Sequence, residues 1–179
     1  MAQFRTALLL ASFTVFATGC PETDDTGDTD VDTDVDTDDS EIDISRDLAD
    51  ADLHGTWVST GDDVSPLLAA FDVSNIDATF NADGSYTVVS TDGAGTATTF
   101  SGTYVIDSST NPGSITLSQT VPAEGTSEGI WTVDPDGVLF YEVVQTTPDL
   151  GFGAPTPSSG FGSTSGPGVA ADSNIQIFR

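Results

Sequence analysis

The chain offers few groups able to do chemistry, and their types narrow what it can be. A single histidine, His54, and a single cysteine, Cys20, leave no partner for a Cys–His nucleophile, a His/Cys zinc site or an internal disulfide. There is no lysine, which excludes amine nucleophiles and P-loop chemistry, and the only arginines are Arg5, Arg46 and Arg179. Carboxylates number 29, for a formal net charge of -26. A chain so acidic is repelled by phosphate backbones, so nucleic acid is not a partner. One acid stands apart by context: Glu142 lies inside Phe140-Tyr141-Glu142-Val143-Val144. Pointing into a core it would acquire a raised pKa, and Glu128 or Asp134 would then complete an acid–base pair. Facing water on the outer surface, the preferred reading, it does nothing of the kind. No serine sits in a nucleophile elbow, and His54 reads as a packing or surface residue. The expectation is a protein without catalysis and without a cofactor.

A metal reading attaches to the acidic tract. From Asp30, carboxylates at Asp32, Asp34, Asp38 and Glu41 match the spacing of an EF-hand loop. Val35 stands where the sharp turn needs glycine, and no helices flank the loop. No specific metal site is expected, only loose association of divalent cations.

Stepping from these groups to the segments that hold them, residues 1–19 have a basic start ending at Arg5, an apolar run from Ala7 to Ala17, and small residues after it. That is the layout of a secretory signal peptide, too short to span a bilayer. Its end, Ala17-Thr18-Gly19-Cys20, resembles the lipobox of bacterial lipoproteins. The resemblance implies diacylglyceryl attachment at Cys20, cleavage before it, and a mature protein exported and anchored to the cell envelope, expected at the outer membrane. Several acyl chains on one residue anchor stably where one alone does not.

Residues 20–52 then form the expected linker. Positions 21–52 hold 15 of the 29 acids, and Asp28 to Asp39 alternate largely with Thr and Val. Adjacent like charges and little apolar surface predict a disordered tether. Fully extended, such a segment reaches at most roughly 100 Å.

From Leu53 the composition turns to short β-branched and aromatic runs, and residues 53–179 read as one all-β domain. Strands are expected near 53–60, 75–81, 85–91, 97–106, 113–119, 128–133, 138–145 and 173–179. Asn81-Ala82-Asp83-Gly84, Ser109-Thr110-Asn111-Pro112-Gly113 and Asp134-Pro135-Asp136-Gly137 supply turns between them. Alternation is clearest in Ile76, Ala78, Phe80 and in Ile115, Leu117. Only the stretch from Ser65 to Phe71 looks helical, with Ser65 as N-cap and Pro66 first in the helix. Consecutive short strands predict an antiparallel eight-stranded up-and-down barrel, with a two-sheet β-sandwich as the alternative. Residues 146–172, with six Gly, four Pro and four Ser, read as a mobile surface loop or as a lid carrying Phe152 and Phe161.

Gly55-Thr56-Trp57 in the first strand resembles the G-x-W motif of lipocalins and lipocalin-like bacterial proteins. Phe80-Asn81-Ala82-Asp83-Gly84-Ser85-Tyr86 and Ser101-Gly102-Thr103-Tyr104 are similar to strands of such domains. The resemblance covers about 53–179 and implies that Trp57 closes one end of the barrel. It also implies that Arg179 packs across the indole, so that Arg179 matters for stability and Arg46, in the tether, does not. The role expected is that of a membrane-tethered structural or surface-interaction lipoprotein. The alternative is a carrier of a small apolar ligand or lipid, with Trp57, Tyr104, Phe140, Phe152 and Phe161 as wall residues.

Overall fold

The computed structural model describes residues 42–179; the signal-like segment, Cys20 and the Asp30–Glu41 tract lie outside the described residues. Helix α1 (Asp50–Leu53) precedes strand β1 (Gly55–Thr60). A 3-10 turn (Gly61–Asp63) and helix α2 (Pro66–Ala69) lead into β2 (Val73–Phe80) and β3 (Ser85–Asp92). Then come β4 (Ala97–Asp107), β5 (Gly113–Val121), β6 (Gly125–Val133), β7 (Leu139–Thr147) and β8 (Gln176–Phe178). Each strand pairs antiparallel with the next in a single sheet ordered β1 to β8. The sheet curls until Val58 and Arg179 meet, exchanging N–H···O bonds of 3.1 and 2.9 Å. The result is a nearly closed up-and-down barrel; one continuous ladder leaves no second sheet for a sandwich.

The residues explain the elements. Ile76, Ala78 and Phe80 on β2 and Ile115 and Leu117 on β5 are buried inward, while Asp77 and Thr116 face solvent. In the β2–β3 turn the Ser85 amide donates to Asp83 Oδ1 at 2.9 Å, and in the β6–β7 turn Val138 does the same to Asp134 Oδ1 at 2.8 Å. Side chains that imitate backbone acceptors are why Asp recurs in tight turns. Ser65 caps α2 as expected, its Oγ accepting from the Leu68 amide at 3.4 Å.

Three boundaries differ from the sequence reading by more than two residues. β6 begins at Gly125 rather than near 128. β8 spans only Gln176–Phe178, because Asp172 adopts a left-handed conformation (φ 61) and the Ile175 amide turns back onto its carbonyl at 3.3 Å. The folded part also reaches into the segment assigned to the tether. Leu48 packs against the core, Arg46 pairs with Asp52 at 2.6 Å, and the Arg46 carbonyl accepts from Asn111 Nδ2 at 2.8 Å.

The meander places α1 and the turns around 81–84, 108–112 and 134–138 at one end of the barrel. At the other end lie α2 and the long β7–β8 connection. That connection is not free in solvent, and its two phenylalanines do not cover the mouth. Ile130, Thr132 and Glu142 on β6 and β7 are all 0% exposed. Their strand neighbours Trp131 and Tyr141 belong to the inner core, so these three lie on the outer face of the sheet and the connection straps over them.

Candidate functional site

The barrel interior divides in two. Towards α1 it is filled, with Leu53, Trp131 and Leu139 at 0% exposure. Gly113 makes this packing fit, since a Cβ there would lie 2.9 Å from the Trp131 indole nitrogen. Towards α2 the interior opens into a cavity of about 210 Å³. Phe80, Tyr86 and Tyr141 border it, and Ile76, Val88, Leu117 and Val143 add aliphatic wall. Half-buried Leu68, Phe100 and Ser127 lie on its solvent side. The Phe80 ring packs on both tyrosines, its centroid 6.4 Å from Tyr86 and 6.0 Å from Tyr141.

Apart from the Ser127 hydroxyl on its solvent side, the polar side chains at this cavity are amides and phenols. Amides are committed to the scaffold. Gln176 Nε2 donates to Ser59 Oγ and to the Asp63 carbonyl, and its Oε1 accepts from the Ser65 amide at 3.0 Å. Asn174 Nδ2 donates to the Val143 carbonyl at 3.0 Å and to Thr164 Oγ1 at 3.1 Å. The phenols are not committed. Tyr86 and Tyr141 are 4% and 9% exposed, and neither hydroxyl has a hydrogen-bond partner among the described residues. Burial raises the pKa of both, and for Tyr141 the nearby Tyr86 adds to the rise. Both therefore stay neutral donors at ordinary pH. Among the described residues, no charged side chain lines the cavity.

The residues singled out in the sequence mostly stand elsewhere. None of the five expected wall residues lines the cavity. Trp57 is half-buried near α1 and its indole N–H donates to the Leu53 carbonyl at 2.9 Å. The Tyr104 hydroxyl donates to the Asn81 carbonyl at 2.8 Å, and its ring meets Phe80 edge-on at 5.3 Å. Phe140 points outward, where Phe161 of the strap packs on it at 6.5 Å. Phe152 packs within the strap beside Gly166, close to the Gly153–Ser165 bridge. Gly55 has φ 146, a conformation closed to other residues, at the junction between α1 and β1.

Arg179 does not cover the indole. It lies directly opposite Val58 and so shares the outer face with it, whereas Trp57 faces in. Its guanidinium pairs instead with Asp63, Nε to Oδ2 at 3.0 Å. Cys20 lies outside the described residues.

Glu142 does not pair with Glu128 or Asp134. Glu142 faces outward but not into water: Oε2 accepts from the Gly162 amide at 2.7 Å and Oε1 from the Thr164 amide at 2.9 Å. Glu128 faces solvent, the Asp134 carboxylate caps its own turn, and His54 follows α1 at half-buried depth. Glu142 thus acts as a buckle for the strap.

Sequence reasoning missed Tyr86, Tyr141 and Gln176. A signal for Tyr86 was present. Phe80 and Tyr86 pair directly across the Asn81–Gly84 turn, so an inward Phe80 makes Tyr86 inward too. The chain matches no protein-family model, no curated protein and no solved structure. What the geometry establishes is an eight-stranded antiparallel barrel, compatible with a lipocalin-like fold and with binding in its interior.

Proposed function

We propose that this protein is a lipid-anchored, lipocalin-like carrier in the cell envelope whose barrel holds a small, largely apolar molecule and catalyses nothing. The observation that carries the binding reading is the cavity of about 210 Å³. Concave apolar sites with a few convergent polar groups are the usual form of small-molecule sites. Its volume lies below the common range of about 300–1,000 Å³, so the occupant is small. Anchoring rests on the sequence: Arg5, the apolar run and Ala17-Thr18-Gly19-Cys20 support export and acylation. The filled end, where Leu53, Trp131 and Leu139 leave no room, favours the second reading of a purely structural or surface-interaction barrel.

Melting in the presence of ethylbenzene separates the two. At about ten times its Kd, a ligand that binds only the folded barrel adds about 1.4 kcal/mol. Ala78→Leu, which intrudes on the cavity, should remove that rise. No rise in the wild-type chain would leave the structural or surface role. For the anchor, Cys20→Ser should move the protein out of the membrane fraction of a bacterial host. Full retention there would refute acylation.

A further inference from the structure

We propose that the Tyr86 and Tyr141 hydroxyls form a donor pair that selects neutral ligands carrying one hydrogen-bond acceptor, such as a ketone, aldehyde or ester, on a body of about a single ring. This rests on the cavity being a binding site and names its ligand class.

Of the three tyrosines in the chain, only Tyr104 has a hydroxyl bonded within the described residues, donating to the Asn81 carbonyl at 2.8 Å. Tyr86 and Tyr141 reach the same cavity, both packed on Phe80, with no protein acceptor among the described residues. A hydroxyl that opens onto an apolar cavity with no protein acceptor is free to donate to one that a ligand brings, and away from bulk water that bond competes with less solvent than at a surface. The amide donors at the same cavity do not compete, because Gln176 is committed to Ser59 and Asp63, Asn174 to Val143 and Thr164, and Gln119 to the Ala123 carbonyl.

Charge decides which acceptor is tolerated. The lining holds no cation among the described residues. Among the described residues the two guanidiniums are engaged elsewhere, Arg46 with Asp52 and Arg179 with Asp63. A carboxylate buried here would lose its hydration with no countercharge to replace it. Fatty acids in their ionised form are therefore excluded, and neutral carbonyl compounds are admitted. Volume sets the size. An apolar cavity of about 150 Å³ holds benzene, so one of 210 Å³ takes a ring and about three further heavy atoms.

The test compares three probes of similar size on the full chain by ligand-detected NMR: acetophenone, ethylbenzene and benzoate. Tyr86→Phe/Tyr141→Phe in the same buffer is the reference. Both replacements keep the rings that pack on Phe80, so the fold is retained. Acetophenone should bind about five-fold tighter than ethylbenzene to the wild-type chain. In the double variant the two should bind alike, and benzoate should show no saturable binding to either. An acetophenone preference that survives in the double variant sinks the donor pair and leaves the cavity reading standing. Benzoate binding as tight as acetophenone does the same. If none of the three binds the wild-type chain, the cavity reading falls and the donor pair with it.

Discussion

The two halves of the barrel interior use the same kinds of side chain and reach different densities. In the half towards α1, Leu53 enters from outside the strands and meets Trp131 and Leu139, all three fully buried. In the half towards α2, Phe80, Tyr86 and Tyr141 border an opening because inward positions around them are small: Ala78 on β2 and Ser127 on β6. Eight strands sit at the size where a barrel can be filled or hollow. What separates the halves here is a plug borrowed from the chain before β1, together with the volume of a few inward residues. A barrel of this kind can be stabilised at one end and left free to bind at the other.

The largest expected effect comes from making the same change at each end. Leu53→Ala removes a side chain packed on all sides and should cost about 3–4 kcal/mol, while Leu117→Ala, beside space that already exists, should cost about 2 kcal/mol. The two start from similar burial, 0% and 5% exposed, so transfer from water is nearly equal and the difference isolates packing. Denaturant unfolding of both variants measures it. Equal losses would break the distinction between a filled and a hollow half.

Next comes the strap. Glu142→Ala leaves the Gly162 and Thr164 amides without their acceptor beneath the outer layer, a loss of about 2–3 kcal/mol. Hydrogen exchange at those two amides should accelerate well before that of core strands such as β5. Because the strap covers the outer face and not the mouth, affinity for ethylbenzene should change less than two-fold. A large loss of affinity would restore the lid that the geometry argues against.

How legible this was depends on which face of a strand the sequence leaves wet. β2 and β5 were readable because one face is buried and the other solvated, so Ile76-Asp77-Ala78 and Ile115-Thr116-Leu117 alternate. Turn chemistry at Asp83-Gly84 and Asp134–Gly137 fixed where they end. β7 erases that signal. The core buries Leu139, Tyr141 and Val143 on one face, and the strap covers Phe140, Glu142 and Val144 on the other. An apolar run of this kind has no visible parity, and Phe140 was read as the wall residue in place of Tyr141. The strap itself, rich in Gly, Pro and Ser, carries no periodicity to say where it lies. Its only trace was the surplus of apolar residues at outward positions of β6 and β7, which needed a cover. Leu48 and Leu53 went unread as a plug because they follow a long acidic run.

Adding carbon sharpens the comparison with a smaller effect of opposite sign at each end. Ala78→Val grows into the cavity and should stabilise by about 0.5–1 kcal/mol, helped by the strand preference of a β-branched residue. Gly113→Ala pushes a methyl against the Trp131 indole and the Asp107 carbonyl, 2.8 Å away, and should cost about 1–3 kcal/mol. Thermal melts of both variants read the sign directly. A stabilising Gly113→Ala would mean that the filled end has slack.

The smallest effect is expected at Arg179, the residue that the lipocalin resemblance marks as structural. What closes the barrel there is main chain: the Arg179 amide and carbonyl bond Val58, and both survive replacement by alanine. The side chain adds an ion pair with Asp63 while remaining 63% exposed, where water and salt screen most of the attraction. Arg179→Ala should lower the melting temperature by no more than about 1 °C, with no difference left in about 1 M salt. Arg46 is the better-placed arginine. Its side chain is 33% exposed, bridges Asp52 at 2.6 Å and reaches the Asp134 carbonyl at 3.5 Å, tying the segment that carries Leu48 and Leu53 to the β6–β7 turn. Arg46→Ala should therefore lower the melting temperature more than Arg179→Ala, the reverse of what the resemblance implies. Melting both variants at low and high salt decides it. A larger loss at Arg179 would mean that closure by β8 depends on its last side chain, and that the plug at the α1 end holds without its arginine.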